Sequence, residues 1–289
     1  MKACVTSKIL SKDTSGKTVP FEETLQFVKQ AGFEEIDMGL EAPALTGPGW
    51  ESALYDRIRL CERENIRIRY AHMPYHYPKP DDAKGWEEFY TATCRAIDFA
   101  KAAGVDSAAI HPHSFVKKDY DPVKERAEAI EFLTPYQDYA LRKGFVLCLE
   151  NMRGAGQSAD PALRRLGMET ADVISIADEL QLGVCWDTGH GNISGQEQYK
   201  SITALGDRLK MVHLNDNFAE GDIHLAISLG NADWDQIAAG LAAVGYKGSL
   251  NTEVTCVRFP EPLKPLYASY MYRSVRWLEG LISEAQRNS

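Results

Sequence analysis

The chain has no long hydrophobic run, no CxxC motif and no excess of positive charge. No stretch of its 289 residues approaches the roughly 18 consecutive apolar residues that a membrane-spanning helix needs. The first residues hold only a short apolar stretch, broken by Lys8, so we expect no signal peptide. The six cysteines are scattered singly, which favours reduced thiols in a cytoplasmic protein over a disulfide framework.

Positive charge is the scarcer sign, with 32 Lys and Arg against 41 Asp and Glu, and the net charge is −9. The average electrostatic field therefore repels polyanions, so neither a nucleic acid nor an anionic membrane is the expected partner. A glycine-rich phosphate loop is missing as well. The segment SKDTSGKT, which follows the first apolar run, matches neither GxGxxG nor GxxxxGK[ST].

What is present is a regular alternation of eight strand-length apolar runs with eight helix-length segments. The predicted strands are 3–9, 33–40, 67–73, 107–113, 145–151, 182–188, 209–216 and 249–254. The predicted helices are 20–31, 50–65, 84–103, 121–143, 169–181, 196–205, 233–244 and 262–285. Because no linker interrupts this pattern, it predicts one α/β domain over residues 1–289, a single (β/α)8 TIM barrel. An open doubly wound sheet is the alternative, although its glycine fingerprint is missing.

All seven histidines fall at predicted strand ends or in the loops that follow them, and none falls in a predicted helix. In a TIM barrel these positions form one face, where such enzymes hold their active sites. The histidines are His72, His76, His111, His113, His190, His213 and His224.

Three carboxylates, Glu150, Asp187 and Glu253, each end an apolar, β-rich run. A buried carboxylate is costly unless it is paired or bound to a cation. Any one of them could form an ordinary salt bridge, but three on one rim together with His213 favour a metal site. Mixed carboxylate and imidazole ligands suit Mn²⁺, Co²⁺, Fe²⁺, Zn²⁺ or Mg²⁺ rather than a thiolate zinc site. Cysteines two residues before two of these ligands are predicted to lie one layer deeper in the core.

Several motifs of this sequence resemble those of the xylose isomerase-like barrel superfamily, over about residues 67 to 254. That superfamily holds sugar and sugar-phosphate isomerases and epimerases, including D-tagatose 3-epimerase-like enzymes, and the endonuclease IV group. The motifs are AHMPY, IHPH, LEN, CWDTGHGNISG, VHLNDN and GDIHLAISLGNADW. The pair DTGH and HLND at this spacing is fairly specific, whereas LEN alone is a weak signal.

The resemblance implies a sugar or sugar-phosphate isomerase or epimerase that uses one divalent metal ion, with Mn²⁺ first and Mg²⁺, Co²⁺ or Zn²⁺ as alternatives. The implied enzyme moves a proton next to a carbonyl through a metal-stabilised enediolate, and forms a dimer or tetramer in the cytoplasm. The implied ligands are Glu150, Asp187, His213 and Glu253, of which Glu150 and Glu253 are also the catalytic acid and base.

The same resemblance supplies candidates for substrate binding. A histidine that contacts the substrate in the epimerase branch corresponds to His190, and His72 and His111 are expected to bind hydroxyl groups. Trp186 is an expected pocket wall, as are two other aromatic residues, Tyr75 and Phe115, although single aromatics at such positions are core residues at least as often.

Other functions remain open. A metal-dependent lyase or dehydratase acting on a keto-sugar or cyclitol would use the same metal and the same proton abstraction. The endonuclease branch has further ligands, which correspond to His72, His111, His190, Asp222 and His224 and imply a trinuclear phosphodiesterase. The acidic net charge argues against DNA, so Asp222 and His224 are kept as a second metal or substrate site. A non-catalytic sugar-binding barrel would leave two opposed carboxylates unexplained.

Two positions depart from the ketohexose 3-epimerase pattern. Those enzymes carry a second Glu six residues after the strand-5 Glu and an Arg six residues after the strand-7 His. Here these positions are Gly156 and Ala219, so a free ketohexose is not assigned as substrate. Two alternatives stay open for Arg153 and Arg258: either of them could bind a phosphate or carboxylate of the substrate, or it could form a structural ion pair.

Overall fold

Eight parallel strands close into a barrel in chain order, in a computed structural model that describes residues 1–288. Each strand lies within one of the eight predicted runs, so the (β/α)8 prediction is confirmed. The strands are β1 (Ala3–Thr6), β2 (Glu35–Gly39), β3 (Arg67–His72), β4 (Ser107–Ile110), β5 (Leu147–Glu150), β6 (Gly183–Asp187), β7 (Leu209–Leu214) and β8 (Leu250–Thr252).

Ten α-helices accompany the barrel within the described residues. They are α1 (Phe21–Ala31), α2 (Ala42–Thr46), α3 (Trp50–Glu64), α4 (Ala83–Ala102), α5 (Pro122–Lys143), α6 (Thr170–Leu180), α7 (Thr188–Ile193), α8 (Gln198–Leu205), α9 (Trp234–Ala243) and α10 (Lys264–Asn288). Eight match the predicted helices. The short helices α2 and α7 were not predicted, because a segment of five or six residues is too short for a hydrophobic period to stand out.

Local signals explain where the helices begin and end. The side chain of Asp121 accepts hydrogen bonds from the backbone N–H groups of Val123 and Lys124, and thereby caps the start of α5. The same helix ends at Gly144, which takes a left-handed conformation with φ 60°. The eight predicted helices contribute their apolar faces to the larger hydrophobic core, which lies between them and the outer side of the strands.

Alternation along the strands divides their side chains between two cores. Side chains that point into the barrel form a small buried cluster of their own: Cys4, Tyr70, Ala109, Cys148, Cys185 and Met211. The cysteines of β5 and β6 lie in this cluster, two residues before the last residue of each strand, as predicted. All six cysteines are free and buried. The layer above this cluster, at the carboxyl ends of the strands, is therefore where inward polar side chains meet.

No helix within residues 1–288 has both the length and the apolar character needed to cross a bilayer.

The packing of α10 predicts a position-dependent loss of stability. Leu278 is fully buried, whereas Leu266 in the same helix is 68% exposed. We expect Leu278→Ala to lower the free energy of unfolding by about 2–5 kcal/mol, because it leaves a cavity in the core. Leu266→Ala, the matched control, should change it by less than about 0.5 kcal/mol. Urea unfolding followed by circular dichroism measures both, and equal losses would contradict this packing.

Candidate metal centre

A cavity of about 260 Å³ opens at the carboxyl ends of the barrel strands. Its walls combine carboxylates and imidazoles with a few hydroxyl groups, and it contains most of the predicted site residues. The lining residues are Thr6, Lys8, Asp37, Gly39, His72, Tyr75, His111, Glu150, His190, Asp222, His224, Glu253 and Thr255.

The four predicted ligands come together at this end of the barrel. Glu150, Asp187 and His213 lie on β5, β6 and β7, and Glu253 directly follows β8. One ligand atom from each can be chosen so that all four lie within 4.8 Å of one another. The Nδ1 atom of His213 lies 3.3 Å from Glu150 Oε2 and 3.2 Å from Glu253 Oε2.

Several polar atoms of this group are buried without a hydrogen-bond partner. They are Oε2 of Glu150 and both ring nitrogens of His213. A buried polar atom without a partner costs about 1–3 kcal/mol, so a folded protein rarely keeps several together without a use. A divalent cation would satisfy the oxygen and Nδ1 together, and the donor set therefore fits a metal ion.

The segment DTGH places Asp187 and His190. The Oδ1 atom of Asp187 accepts a hydrogen bond from the His190 N–H at 2.7 Å and so caps α7, which carries His190 into the site. Gly189 between them lies so close to the segment after β7 that a Cβ atom would stand 1.8 Å from Asn215 Oδ1. Only glycine fits there, and this explains the third residue of the motif.

The segments HLND and LEN hold Asp187 from either side. Asn215 Nδ2 donates to Asp187 Oδ2 at 2.8 Å, and the side chain of Asn151 pairs with the backbone N–H and C=O of Asp187. Asp216 accepts hydrogen bonds from Ala232 N–H and from the indole of Trp234. It thereby anchors the loop that contains Asp222 and His224.

Hydrogen bonds also fix the orientation of three histidine rings. The Nδ1 atoms of His72, His190 and His224 lie 2.8–3.1 Å from backbone carbonyl oxygens, so each Nδ1 carries a proton and donates it. Each Nε2 then faces a carboxylate: Glu150 for His72 at 3.3 Å, and Asp222 for the other two at 3.5 and 2.9 Å. Since a lone pair cannot bond to a lone pair, a proton or a metal ion must lie between them. This is the arrangement in which proteins hold metal-binding imidazoles.

Two further clusters adjoin the four-ligand group. His72, His111 and Glu150 form one, and His190, Asp222 and His224 form the other, each with ligand atoms within 4.8 Å of one another. The structure therefore brings together every histidine and carboxylate predicted for the site. The remaining histidines differ, because His76 is exposed and His113 packs among aromatic rings.

The electrostatics follow from burial and from these pairings. Burial opposes the charge of Glu150, but His213 and His111 outweigh it and lower the Glu150 pKa well below its usual range. Burial lowers the pKa of His111 to about 4. Burial also opposes the charge of His190 and His224, but nearby carboxylates, Asp222 among them, raise their pKa values to about 9 and about 10. Without a metal, both ring nitrogens of His190 and of His224 are therefore protonated at neutral pH, and each ring is positively charged.

The prediction that Trp186 lines the pocket is wrong. Trp186 alternates with the inward-facing Asp187 on β6, is completely buried, and belongs to the core between strands and helices. Its indole N–H donates to Gln198 Oε1 at 2.9 Å. Of the other aromatic candidates, Tyr75 lines the cavity, whereas Phe115 is 53% exposed and lies outside that lining.

Asp37 on β2 is absent from the sequence-based prediction. Its buried Oδ2 lies 3.4 Å from Nε2 of His213 and accepts a hydrogen bond from Asn251 at 2.7 Å. Asp37 can thus orient His213 so that Nδ1 is left for a metal. The sequence does contain a signal that could have predicted Asp37 as a site residue. Asp37 is a carboxylate in the apolar run FEEIDMGL, just as Glu150 is a carboxylate in the apolar run of its own strand.

The amino-acid sequence is similar to those of one known protein family and of several curated proteins. The family model described as xylose isomerase-like TIM barrel matches residues 25–278. Curated relatives include an uncharacterized protein, y4fM, of Sinorhizobium fredii (37% identical over 78 residues, 27% of this chain). Others are a probable endonuclease 4 of Mycoplasmoides gallisepticum (24% over 197 residues, 61% of this chain) and an L-ribulose 3-epimerase of a Methylomonas species (27% over 131 residues, 45% of this chain). The chain covers 25%, 61% and 42% of their lengths, which is less than two thirds of each.

Solved structures of the same fold cover nearly the whole chain. A D-tagatose 3-epimerase-like protein has a TM-score of 0.74 at 18% identity, over 98% of this chain and 99% of its own. The IOLI protein with a binding zinc atom has a TM-score of 0.71 at 16% identity, over 99% of both chains. At these identities the likeness establishes a shared fold.

The contact between Asp37 and His213 predicts a weaker metal site when its charge is removed. We expect Asp37→Asn to weaken Mn²⁺ or Zn²⁺ binding by about 10–100-fold, because His213 loses the carboxylate that orients it and raises its basicity. His76→Ala, in an exposed histidine of the same face, should leave the affinity unchanged. Titration calorimetry of the metal-free protein gives both constants. Wild-type affinity in the Asp37 variant would contradict this role.

Proposed function

The chain belongs to the xylose isomerase-like TIM barrel family, and on that basis we propose that it is a divalent-metal-dependent isomerase or epimerase of a sugar or sugar phosphate. The observation that carries the proposal is the convergence of Glu150, Asp187, His213 and Glu253 around buried atoms that lack partners. The names of an L-ribulose 3-epimerase relative and of a D-tagatose 3-epimerase-like structure support this class of reaction.

The four side chains would hold one divalent ion, with Mn²⁺ proposed first and Mg²⁺, Co²⁺ or Zn²⁺ as alternatives. The zinc atom named for a protein of the same fold supports metal binding in general. When bound, such an ion supplies positive charge beside the carbonyl and hydroxyl oxygens of a substrate. Asp187 and His213 serve mainly to hold it, with Asp37 orienting His213.

Glu150 and Glu253 are proposed to move the proton. They come from β5 and the end of β8, with β6 and β7 between them, so their carboxylates approach the cavity from different sides. One accepts the proton from the carbon next to the carbonyl, and the other returns a proton to the opposite face. The handedness of the substrate decides which of them acts first. His190, His72 and His111 would bind substrate oxygens.

Solvent exchange tests this mechanism. We expect Glu150→Gln and Glu253→Gln each to abolish deuterium incorporation into the carbon next to the carbonyl, because a carboxamide cannot accept the proton. Glu34→Gln, in an exposed glutamate at the far end of β2, is the matched control and should exchange normally. Keto sugars are incubated in deuterated buffer with Mn²⁺ and analysed by NMR. Normal exchange in both site variants would exclude the mechanism, and product analysis separates epimerisation from elimination of a leaving group.

A second candidate function is phosphodiester hydrolysis. The observation that favours it is the presence of three adjoining clusters of histidine and carboxylate ligands rather than one, and the relative named a probable endonuclease 4 agrees with it. Several ions together can activate a water molecule and stabilise the leaving oxygen. The net charge of −9 opposes binding of DNA, which depends on neutralising many phosphates. We therefore place this candidate second.

Proton release on metal binding separates the two candidates. The pKa values of His190 and His224 are raised to about 9 and about 10, so an ion that enters their cluster near neutral pH must displace about two protons. For a mononuclear isomerase we expect one tightly bound ion and no cleavage of bis(p-nitrophenyl) phosphate. Burial opposes the charge of His213, but neighbouring groups, Glu253 and Glu150 among them, raise its pKa well above the usual range, so this ion releases a proton from His213, and His224→Gln should not change that release. Calorimetry in buffers of different protonation enthalpy, with elemental analysis, measures this. Three bound ions, additional proton release that is lost in His224→Gln, and cleavage would establish the second candidate.

The proposal extends to the domain organisation, the cellular location and the assembly of the protein. We propose a single domain over residues 1–289, a cytoplasmic location, and assembly as a dimer or tetramer with a small-molecule substrate as the partner. Light scattering behind a sizing column reports the assembly.

A further inference from the structure

Lys8 is the only lysine or arginine among the described residues that line the cavity. It follows β1, and in the closed barrel β1 stands opposite β5, the strand of Glu150. The proposed metal ligands come from β5 to β8. Lys8 therefore supplies positive charge on the side of the cavity away from most of the ligands, and the proposed proton transfer does not use it.

The path of the Lys8 side chain depends on a glycine. A Cβ atom built on Gly39, at the end of β2, would stand 2.6 Å from Cε of Lys8. Gly39 is not among the glycines with positive φ, so its backbone conformation does not require glycine. The missing side chain instead leaves room for the lysine to cross the end of β2 and reach the cavity.

Two neighbours hold the ammonium group at the edge of the cavity. It forms an ion pair with Glu41, and it lies 5.2 Å from the centre of the Tyr75 ring. Burial opposes the charge, but Tyr75 and Glu41 outweigh it and raise the pKa of Lys8. Glu41 itself is not part of the cavity lining. The lysine is thus charged and held in place, with an outer partner that a ligand in the cavity could replace.

The other cations near the site are already engaged. Arg153 lies 3.5 Å from Asp222, and Arg165 donates to Ser114 Oγ and to the sulfur of Met152. Neither lines the cavity, and Arg258 is exposed. The two arginines considered from sequence as anion-binding groups are therefore less suitable than Lys8.

We propose that Lys8 binds a carboxylate at the end of the substrate remote from the reacting carbons, so that the substrate is a keto sugar acid. This inference rests on the proposed isomerase or epimerase function. A single ammonium group that shares its charge with Glu41 matches a monoanion. A phosphate dianion is usually bound by several donors, among which arginine forks and backbone N–H groups are common.

Three ligands that differ only at carbon 6 test the substrate class. They are D-fructose, D-fructuronate and D-fructose 6-phosphate, titrated into the Mn²⁺-loaded protein. We expect D-fructuronate to bind at least about tenfold more tightly than D-fructose, since a hydrogen-bonded charge contributes more than a hydroxyl. D-fructose 6-phosphate should bind less tightly than D-fructuronate.

Variants assign the preference to Lys8. Lys8→Met should reduce the ratio of the D-fructuronate and D-fructose affinities to about one. Gly39→Ala should lower the same ratio, because its methyl group displaces Cε of Lys8. Glu41→Gln should increase the ratio, because it removes the anion that competes for the ammonium group. Lys12→Met, in an exposed lysine four residues further on, is the matched control and should keep the wild-type ratio. Bound Mn²⁺ and the melting temperature are measured for each variant to verify folding.

The inference would be overturned by equal binding of D-fructose and D-fructuronate in the wild type, by tighter binding of the phosphate, or by a preference that survives in Lys8→Met. Failure to bind any of the three ligands would likewise exclude this substrate class. Failure of the proposed function is a different result, namely binding of D-fructuronate with the expected dependence on Lys8 but without deuterium exchange at any carbon.

Discussion

The buried carboxylate of Glu150 is the constraint on which the site depends. Glu150 is 1% exposed, and its Oε2 atom lies 3.2–3.3 Å from ring nitrogens of His72, His111 and His213. A charge in such surroundings costs several kcal/mol unless a cation compensates it. Protons on the imidazoles or metal ions must provide that compensation, so the chemistry of the site follows from which of them is bound.

The motifs LEN, DTGH and HLND, at the ends of β5, β6 and β7, hold one another in place through hydrogen bonds. Asn151 and Asn215 hold Asp187 from β5 and β7, while Asp187 caps the helix that carries His190. The glycine of DTGH allows the close approach of the segment after β7. Each residue of DTGH is therefore fixed by a contact with HLND or with LEN.

One arrangement of ligands is compatible with two kinds of chemistry. The three clusters could hold several ions, as a phosphodiesterase would need, or one ion beside histidines that bind hydroxyl groups. Lys8 adds information that the ligands lack, because it places an ammonium group at the edge of the cavity and away from most of them. A small substrate with one negative charge suits that distribution better than a polyanion does, given the acidic surface expected from the net charge.

Local sequence patterns were sufficient to predict the barrel and most of the site. The alternation of strand and helix periods is a local property, and parallel strands of a barrel necessarily present their carboxyl ends on one face. That is why Glu150 and His213 could be predicted from placement alone. Tertiary structure decided what local patterns do not encode, namely which neighbour each side chain meets across the barrel. It turned Trp186 toward the helices, placed Asp37 of β2 against His213 of β7, and let Lys8 cross Gly39 into the cavity. These contacts join residues far apart in the chain, and only closure of the barrel brings them within reach.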